Sequence, residues 1–214
     1  MTRLVLLVTA LAACGGPSAP AAPAAPNNTG AAGRGAVYDA LFEQGRTWTL
    51  DLVDKTTPPL DMGPPSEQRG AATCTVEMAH AMGEQRMAKI TCTGAERTLY
   101  APPGWWIADP RGLWHFDVER SADEVHAAMA KLDEGRMLLA AQPAARRKEY
   151  ESEVDGLEAF EAKAGADGAW CVSYVMAMGD EAGYAVCLAP GRGIVSGSSF
   201  SAGATVFETL FTAK

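Results

Sequence analysis

Closely spaced cysteines are missing from this 214-residue sequence. Zinc sites usually draw on cysteines two to four residues apart, with histidines or further cysteines close by. Here the spacings are 18 (Cys74 to Cys92) and 16 (Cys171 to Cys187), and His80, His115 and His126 are scattered. Positive charge is scarce too. Eighteen Lys and Arg against 26 Asp and Glu leave −8, or −9 once Arg3 departs with a cleaved leader. That balance speaks against nucleic acid and against electrostatic adhesion to anionic lipid. The one basic run, Arg146-Arg147-Lys148, suits a solvated strand edge. Familiar catalytic patterns are lacking as well. Gly197-Ser198-Ser199 does not have the Gly-x-Ser-x-Gly spacing of a nucleophile elbow. No glycine-rich phosphate loop and no calcium-binding Asp/Glu spacing occurs, so no cofactor or metal is expected. His115, between Trp114 and Phe116, could act as a base beside Asp117 in a hydrolase. An alternating strand residue is the plainer reading, and the expectation is a non-enzyme.

What is present is a pair of matched stretches. CTVEMAHAMGEQRMAKITC (74–92) and CVSYVMAMGDEAGYAVC (171–187) each begin and end in cysteine around a central glycine, Gly83 or Gly179. Folded as hairpins, the first sets Cys74 against Cys92, Thr75 against Thr91, Val76 against Ile90 and Glu77 against Lys89. The second sets Cys171 against Cys187, Val172 against Val186 and Tyr174 against Tyr184. Such cross-strand pairs contribute roughly 0.2–1 kcal/mol each. Directly opposed cysteines can be bridged, and closing loops of this length is worth about 3 kcal/mol in the chain-entropy model. A metal site is the rival reading. A bulge would slip either register by one residue.

The N-terminus reads MTRLVLLVTALAAC: a charged Arg3, an apolar run Leu4–Leu11 and small residues before Cys14. Eight apolar residues are too few to span a bilayer and suit a signal sequence. Leu11-Ala12-Ala13-Cys14 resembles the lipobox of bacterial lipoproteins. The resemblance implies cleavage after residue 13 and acylation of Cys14 (palmitate among the expected chains), with membrane attachment through that anchor. An ordinary secretory signal is the alternative, and it would leave Cys14 as an odd thiol. With Cys14 lipidated, the remaining four cysteines pair without remainder, as in an exported protein. Gly15 in place of aspartate after the cysteine points, by the sorting pattern of that family, to the outer membrane, with the periplasmic or surface face left open. Residues 15–36 hold eight Ala, five Gly, four Pro and a single charge. They read as a tether.

Residues 37–214 suit one mainly β domain, an antiparallel meander forming an open β-barrel or curved sheet, since turn signals recur every 8–12 residues. Strands are expected at Trp48–Val53, Thr98–Ala101, Lys148–Val154, Leu157–Ala164, Ile194–Phe200 and Thr205–Thr212. One helix is expected over about 122–134. Ser121 and Glu124 form its capping box, Val125, Met129 and Leu132 its apolar stripe, and Gly135 its stop. AMGE (81–84) and AMGD (177–180) suggest pseudo-repeats at about 37–118 and 146–214. Trp105, Trp106 and Trp114 crowd into ten residues and are the candidate ligand-binding side chains, with aromatic filler as the alternative.

LFEQGRTWTLDL (41–52) resembles the "FPL..G..WTY" strand of many uncharacterised bacterial lipoproteins, and APGRGIVSG (189–197) their "APGVGLV" element. Arg192 stands where that family has an aliphatic residue. The resemblance implies an envelope β-protein without established catalysis. In architecture alone, the chain is also similar to open β-barrel lipoprotein carriers. The expectation is a binder of a hydrophobic ligand or carrier of lipid, or else a structural or protein-interaction module of an envelope assembly.

Overall fold

The computed structural model describes residues 37–151 and 156–214. Twelve strands form one fully antiparallel sheet curled into a half-barrel. They are β1 (Thr47–Thr57), β2 (Ser66–Met82), β3 (Gln85–Thr93), β4 (Gly104–Ala108), β5 (Gly112–Phe116), β6 (Leu139–Ala140), β7 (Arg146–Glu151), β8 (Leu157–Ala164), β9 (Trp170–Met178), β10 (Asp180–Ala189), β11 (Gly193–Ala202) and β12 (Val206–Ala213). Their spatial order is β6-β5-β4-β3-β2-β1-β12-β11-β10-β9-β8-β7. The chain therefore walks from the centre to one edge, crosses to the other, and returns until β12 pairs with β1. The crossing segment, residues 117–145, runs from β5 to β7 and carries both the helix α1 (Ala122–Met129) and the short edge strand β6.

Alternation along β1 shows why the sheet curls inward. Trp48, Leu50 and Leu52 are buried, while Thr47, Thr49 and Asp51 are exposed. The buried face joins Val76, Ile90, Trp106, Val172, Val186, Leu188 and Phe211 in one core. A short 3₁₀ turn at Asp39–Phe42 buries Leu41 in the same core and packs against β2, β3 and β11. Strand registers place this turn at the end of the barrel that holds the β2–β3 and β10–β11 connections. There the segments 41–52 and 189–197 meet. Trp48 Nε1 donates to the Arg192 carbonyl at 2.8 Å, and a Cβ on Gly193 (φ 72°) would lie 2.8 Å from the Trp48 ring. The opposite end carries the β1–β2, β3–β4, β9–β10 and β11–β12 connections.

Both expected bridges are present. Cys74–Cys92 and Cys171–Cys187 join directly opposed residues with Cα atoms 4.0 and 3.9 Å apart. The second hairpin keeps its expected register, with Tyr174 facing Tyr184. The first does not keep it throughout. A bulge at Glu77 sets Met78 opposite Lys89, where the sequence had suggested Glu77, and leaves His80 opposite Met87. One extra residue reverses which face every later side chain takes, so Met78, His80 and Met82 turn away from the main core.

The capping box forms as expected. Ser121 Oγ accepts from the Glu124 amide, and Glu124 Oε2 accepts from the Ser121 amide at 2.8 Å. Val125, Met129 and Leu132 are buried in a second cluster with Met87, Trp105, Ile107 and Trp114. Those four project from the face of β3–β5 opposite the main core, so every residue of β4 is buried. The helix is shorter than its periodicity suggests. It ends at Met129 with Ala130 as its cap, and Gly135 belongs to a separate 3₁₀ turn, Glu134–Arg136. A Cβ on Gly135 would lie 1.7 Å from the Tyr150 hydroxyl, so glycine there permits close packing instead of terminating the helix. Thr98–Ala101 is not a strand. Its Tyr100 amide donates to Ser199 Oγ at 2.9 Å, and Pro102 and Pro103 follow without amide hydrogens to extend a ladder. Strand β7 begins at Arg146, ahead of the expected Lys148. It is an edge strand with Arg147 and Lys148 in solvent.

Candidate functional site

A cleft of about 690 Å³ lies between the crossing segment and the inner face of β8–β10, toward the end of the barrel away from the 3₁₀ turn at residues 39–42. Ala128, Lys131, Leu132 and Asp133 form one wall. The other is aromatic. From Trp106 the ring centroids step 4.6 Å to His115, 5.1 Å to Tyr184, 5.8 Å to Tyr174, 5.0 Å to Phe160 and 6.0 Å to Tyr150. This row runs from β4 and β5 across the hollow of the half-barrel to β10, β9, β8 and β7, tying its two arms together. Alternation puts it there. Tyr184 and Tyr174 are cross-strand partners, as are Phe160 and Tyr174, so these three rings fall on one surface.

The polar atoms in the row find partners in one another and in flanking groups. His115 Nε2 lies 3.0 Å from the Pro103 carbonyl, which can only accept, so this nitrogen carries the hydrogen. Nδ1, 3.0 Å from the Tyr184 hydroxyl, is then the acceptor. Burial lowers the His115 pKa to about 4, against a partial opposing effect of Pro103 and Asp117. The ring is neutral at physiological pH. Burial likewise raises the Tyr184 and Tyr174 hydroxyls, with the Glu158 charge adding to the effect at Tyr174. Tyr174 donates to Glu158 Oε1 at 3.0 Å. Glu158 Oε2 lies 2.8 Å from Arg136, an ion pair whose alignment falls short of a hydrogen bond, so this oxygen has a charge partner but no aimed donor. Gly104 (φ 134°) makes room for the arrangement, because a Cβ there would sit 2.3 Å from His115 Nε2.

The three tryptophans named from the sequence separate. Trp114 lines the cleft and anchors the crossing segment by donating to the Asp133 carbonyl at 2.9 Å. Trp105 is buried under the helix, and Trp106 lies in the main core with its indole on the Pro102 carbonyl. His115 stands in the cleft, while His80 and His126 lie on the outer face of the first hairpin and on the helix. Tyr174, Tyr184 and Phe160 were not legible as cleft residues. The available signal was their pairing across hairpins, which marks a shared face but not what that face encloses. Cys14, the leader and the tether lie outside the described residues.

Large hydrophobic side chains are exposed at the end of the sheet where the cleft opens. Leu60, Met62, Tyr100, Val118, Leu157, Met178, Val206 and Phe207 are exposed, and all sit on connections or strand ends at this same end of the sheet. Of the large exposed hydrophobic side chains among the described residues, only Met78 and Met82 lie elsewhere.

No protein-family model and no curated protein matches the sequence. Among solved structures, a LolA superfamily protein from Nitrosomonas europaea shares 11% identity over 84% of this chain and 89% of its own, at a TM-score of 0.19. A superposition that loose lends nothing to the assignment of fold or ligand, and the reading below stands on the geometry of this chain. No helix among the described residues is long and apolar enough to cross a membrane.

Proposed function

We propose that this chain is a lipid-anchored bacterial envelope protein whose β domain binds a hydrophobic ligand, or carries lipid, without catalysing a reaction. The aromatic cleft is the observation that carries this reading. Its volume, about 690 Å³, falls within the range of about 300–1,000 Å³ common for small-molecule sites. Its walls combine aromatic and aliphatic surface with charged side chains, Asp117, Arg120, Lys131, Asp133, Arg136 and Glu158, which suits an amphipathic ligand whose polar end lies near the Glu158–Arg136 pair. Two bridges support an oxidising compartment, and Leu11-Ala12-Ala13-Cys14 supports anchoring at Cys14, with the outer membrane as its address.

The hydrolase alternative gains a cleft around His115 but loses its base. Both ring nitrogens have protein partners and the ring resists protonation. A protein-interaction module of an envelope assembly is the second reading, favoured by the apolar rim. Native mass spectrometry of the full chain taken from the envelope separates the two. A retained lipid or other apolar small molecule supports the carrier. A mass explained by acylation at Cys14 alone, with a co-purifying protein, supports the module.

A further inference from the structure

The bulge at Glu77 has a chemical consequence away from the cleft. It turns Met78, His80 and Met82 to the outer face of the first hairpin, and helix α1 lies on that same face. His126 Nε2 reaches 3.3 Å from the Met82 sulfur. His80 is two residues from Met82 on the same face, about 6.6 Å along the strand, and its ring is exposed. We propose that Met82 and His126, with His80 as third donor, form a binding site for a soft monovalent cation, Cu(I) in the cell.

The donor types decide the class of ion. Thioethers are soft and select Cu(I), imidazole accepts copper readily, and neither suits magnesium or calcium. Among the described residues no three His, Cys, Asp or Glu side chains gather as a metal site, so zinc and hard cations lack a donor set. The four described cysteines are bridged, which leaves no described thiol to compete for a soft ion.

The Met82–His126 spacing fits without rearrangement. Taking metal–nitrogen and metal–sulfur distances of about 2.0 and 2.3 Å, a nitrogen and sulfur 3.3 Å apart subtend roughly 100° at a shared ion. That angle is compatible with three- or four-fold coordination. Both main donors sit on fixed elements. Val125 and Met129, flanking His126 on the helix, are buried with Met87 and Trp105. Met82 closes β2 opposite Gln85, where Gly83 at φ 61° makes the tight turn. All three donors are exposed, so an ion reaches them from solvent. The helix and the hairpin would then be clipped together on the outer face of the arm, independently of any ligand in the cleft.

The test uses the full chain with methyl-labelled methionine in chloride-free buffer, titrated with Ag(I) as a redox-inert probe and with Cu(I) held reduced by ascorbate. The expected result is one saturating equivalent that shifts the Met82 methyl and the His126 and His80 rings. Met82→Leu and His126→Gln should each weaken binding at least tenfold. Both positions are exposed, so the fold should persist, and Met178→Leu should bind as the parent does. Absence of a saturable equivalent, unchanged binding in both variants, or tighter binding of Zn(II) than of Cu(I) would each overturn the proposal.

Discussion

In the arm built from β1–β6 the cysteine bridge lies on the core side, Cys74 being buried beside Ala72 and Val76; in the arm built from β7–β12 the bridge lies outside. There Val172 and Val186 take the inner face, while half-buried Cys171 packs against Gly165 on the outer one. The topology explains the difference. Hairpins β2–β3 and β9–β10 stand five places apart in an antiparallel sheet and progress around it in the same sense. Five steps reverse strand direction, so a rotation carrying one hairpin onto the other exchanges concave for convex. The first arm is also packed on both faces at β3–β5, whereas the inner face of the second is left partly open as the wall of the cleft. The same covalent device thus serves a double-sided structural wall in one arm and frees the inner face for aromatic rings in the other.

The contrast between the bridges can be broken directly. Replacing both Cys74 and Cys92 by alanine should cost about 3 kcal/mol for the opened loop and a further 1–2 kcal/mol for lost core packing. The same change at Cys171 and Cys187 should cost the loop contribution alone. Denaturant unfolding of the two double variants measures the gap, and equal losses would refute the inside–outside distinction.

A smaller effect concerns the link between the arms. His115 has a folded pKa of about 4 against an ordinary 6.5. Above pH 6.5 neither folded nor unfolded chain holds a proton there, and the neutral ring contributes its full stability. As pH falls from 6.5 toward 4 the unfolded chain binds a proton that the folded one refuses, so stability declines. A loss of about 2–3 kcal/mol is expected across this window, and His115→Gln should flatten that part of the stability–pH curve. Tyr184→Phe should cost about 1–3 kcal/mol by leaving Nδ1 without its donor.

Smaller still, Ser121→Ala should remove about 1 kcal/mol by uncapping the helix, detected as a modest fall in Tm. Serine at Leu157, Met178 and Phe207 together should change stability by less than about 0.5 kcal/mol per site. If the rim guides an apolar ligand into the cleft, the same variant should slow uptake of a fluorescent fatty acid by folded protein. Unchanged uptake would assign the rim to the protein-interaction reading instead.

Much of this architecture was legible in the residues. Cross-strand symmetry about Gly83 and Gly179 specified both bridges, because a hairpin's pairing is a local matter of turn and neighbour. Ser121 and Glu124 marked the start of the helix for the same reason. Its end was not legible. Leu132 continues the apolar spacing, yet it reaches the second cluster from beyond the helix, where hydrogen bonds from Arg111 and Trp114 hold residues 132 and 133.

By itself, then, the sequence determined the antiparallel β class, the two covalent pairings and the helix cap. Each rests on contacts between residues near one another along the chain. Tertiary structure alone decided which face each bridge occupies, which of the three tryptophans borders the cleft, and that Phe160, Tyr174 and Tyr184 line it with His115. Those outcomes depend on the curl of a twelve-stranded sheet and on a single bulged residue. A period-two pattern says that a side chain shares a face with its alternate neighbours; only closure of the sheet says whether that face meets core, cleft or water.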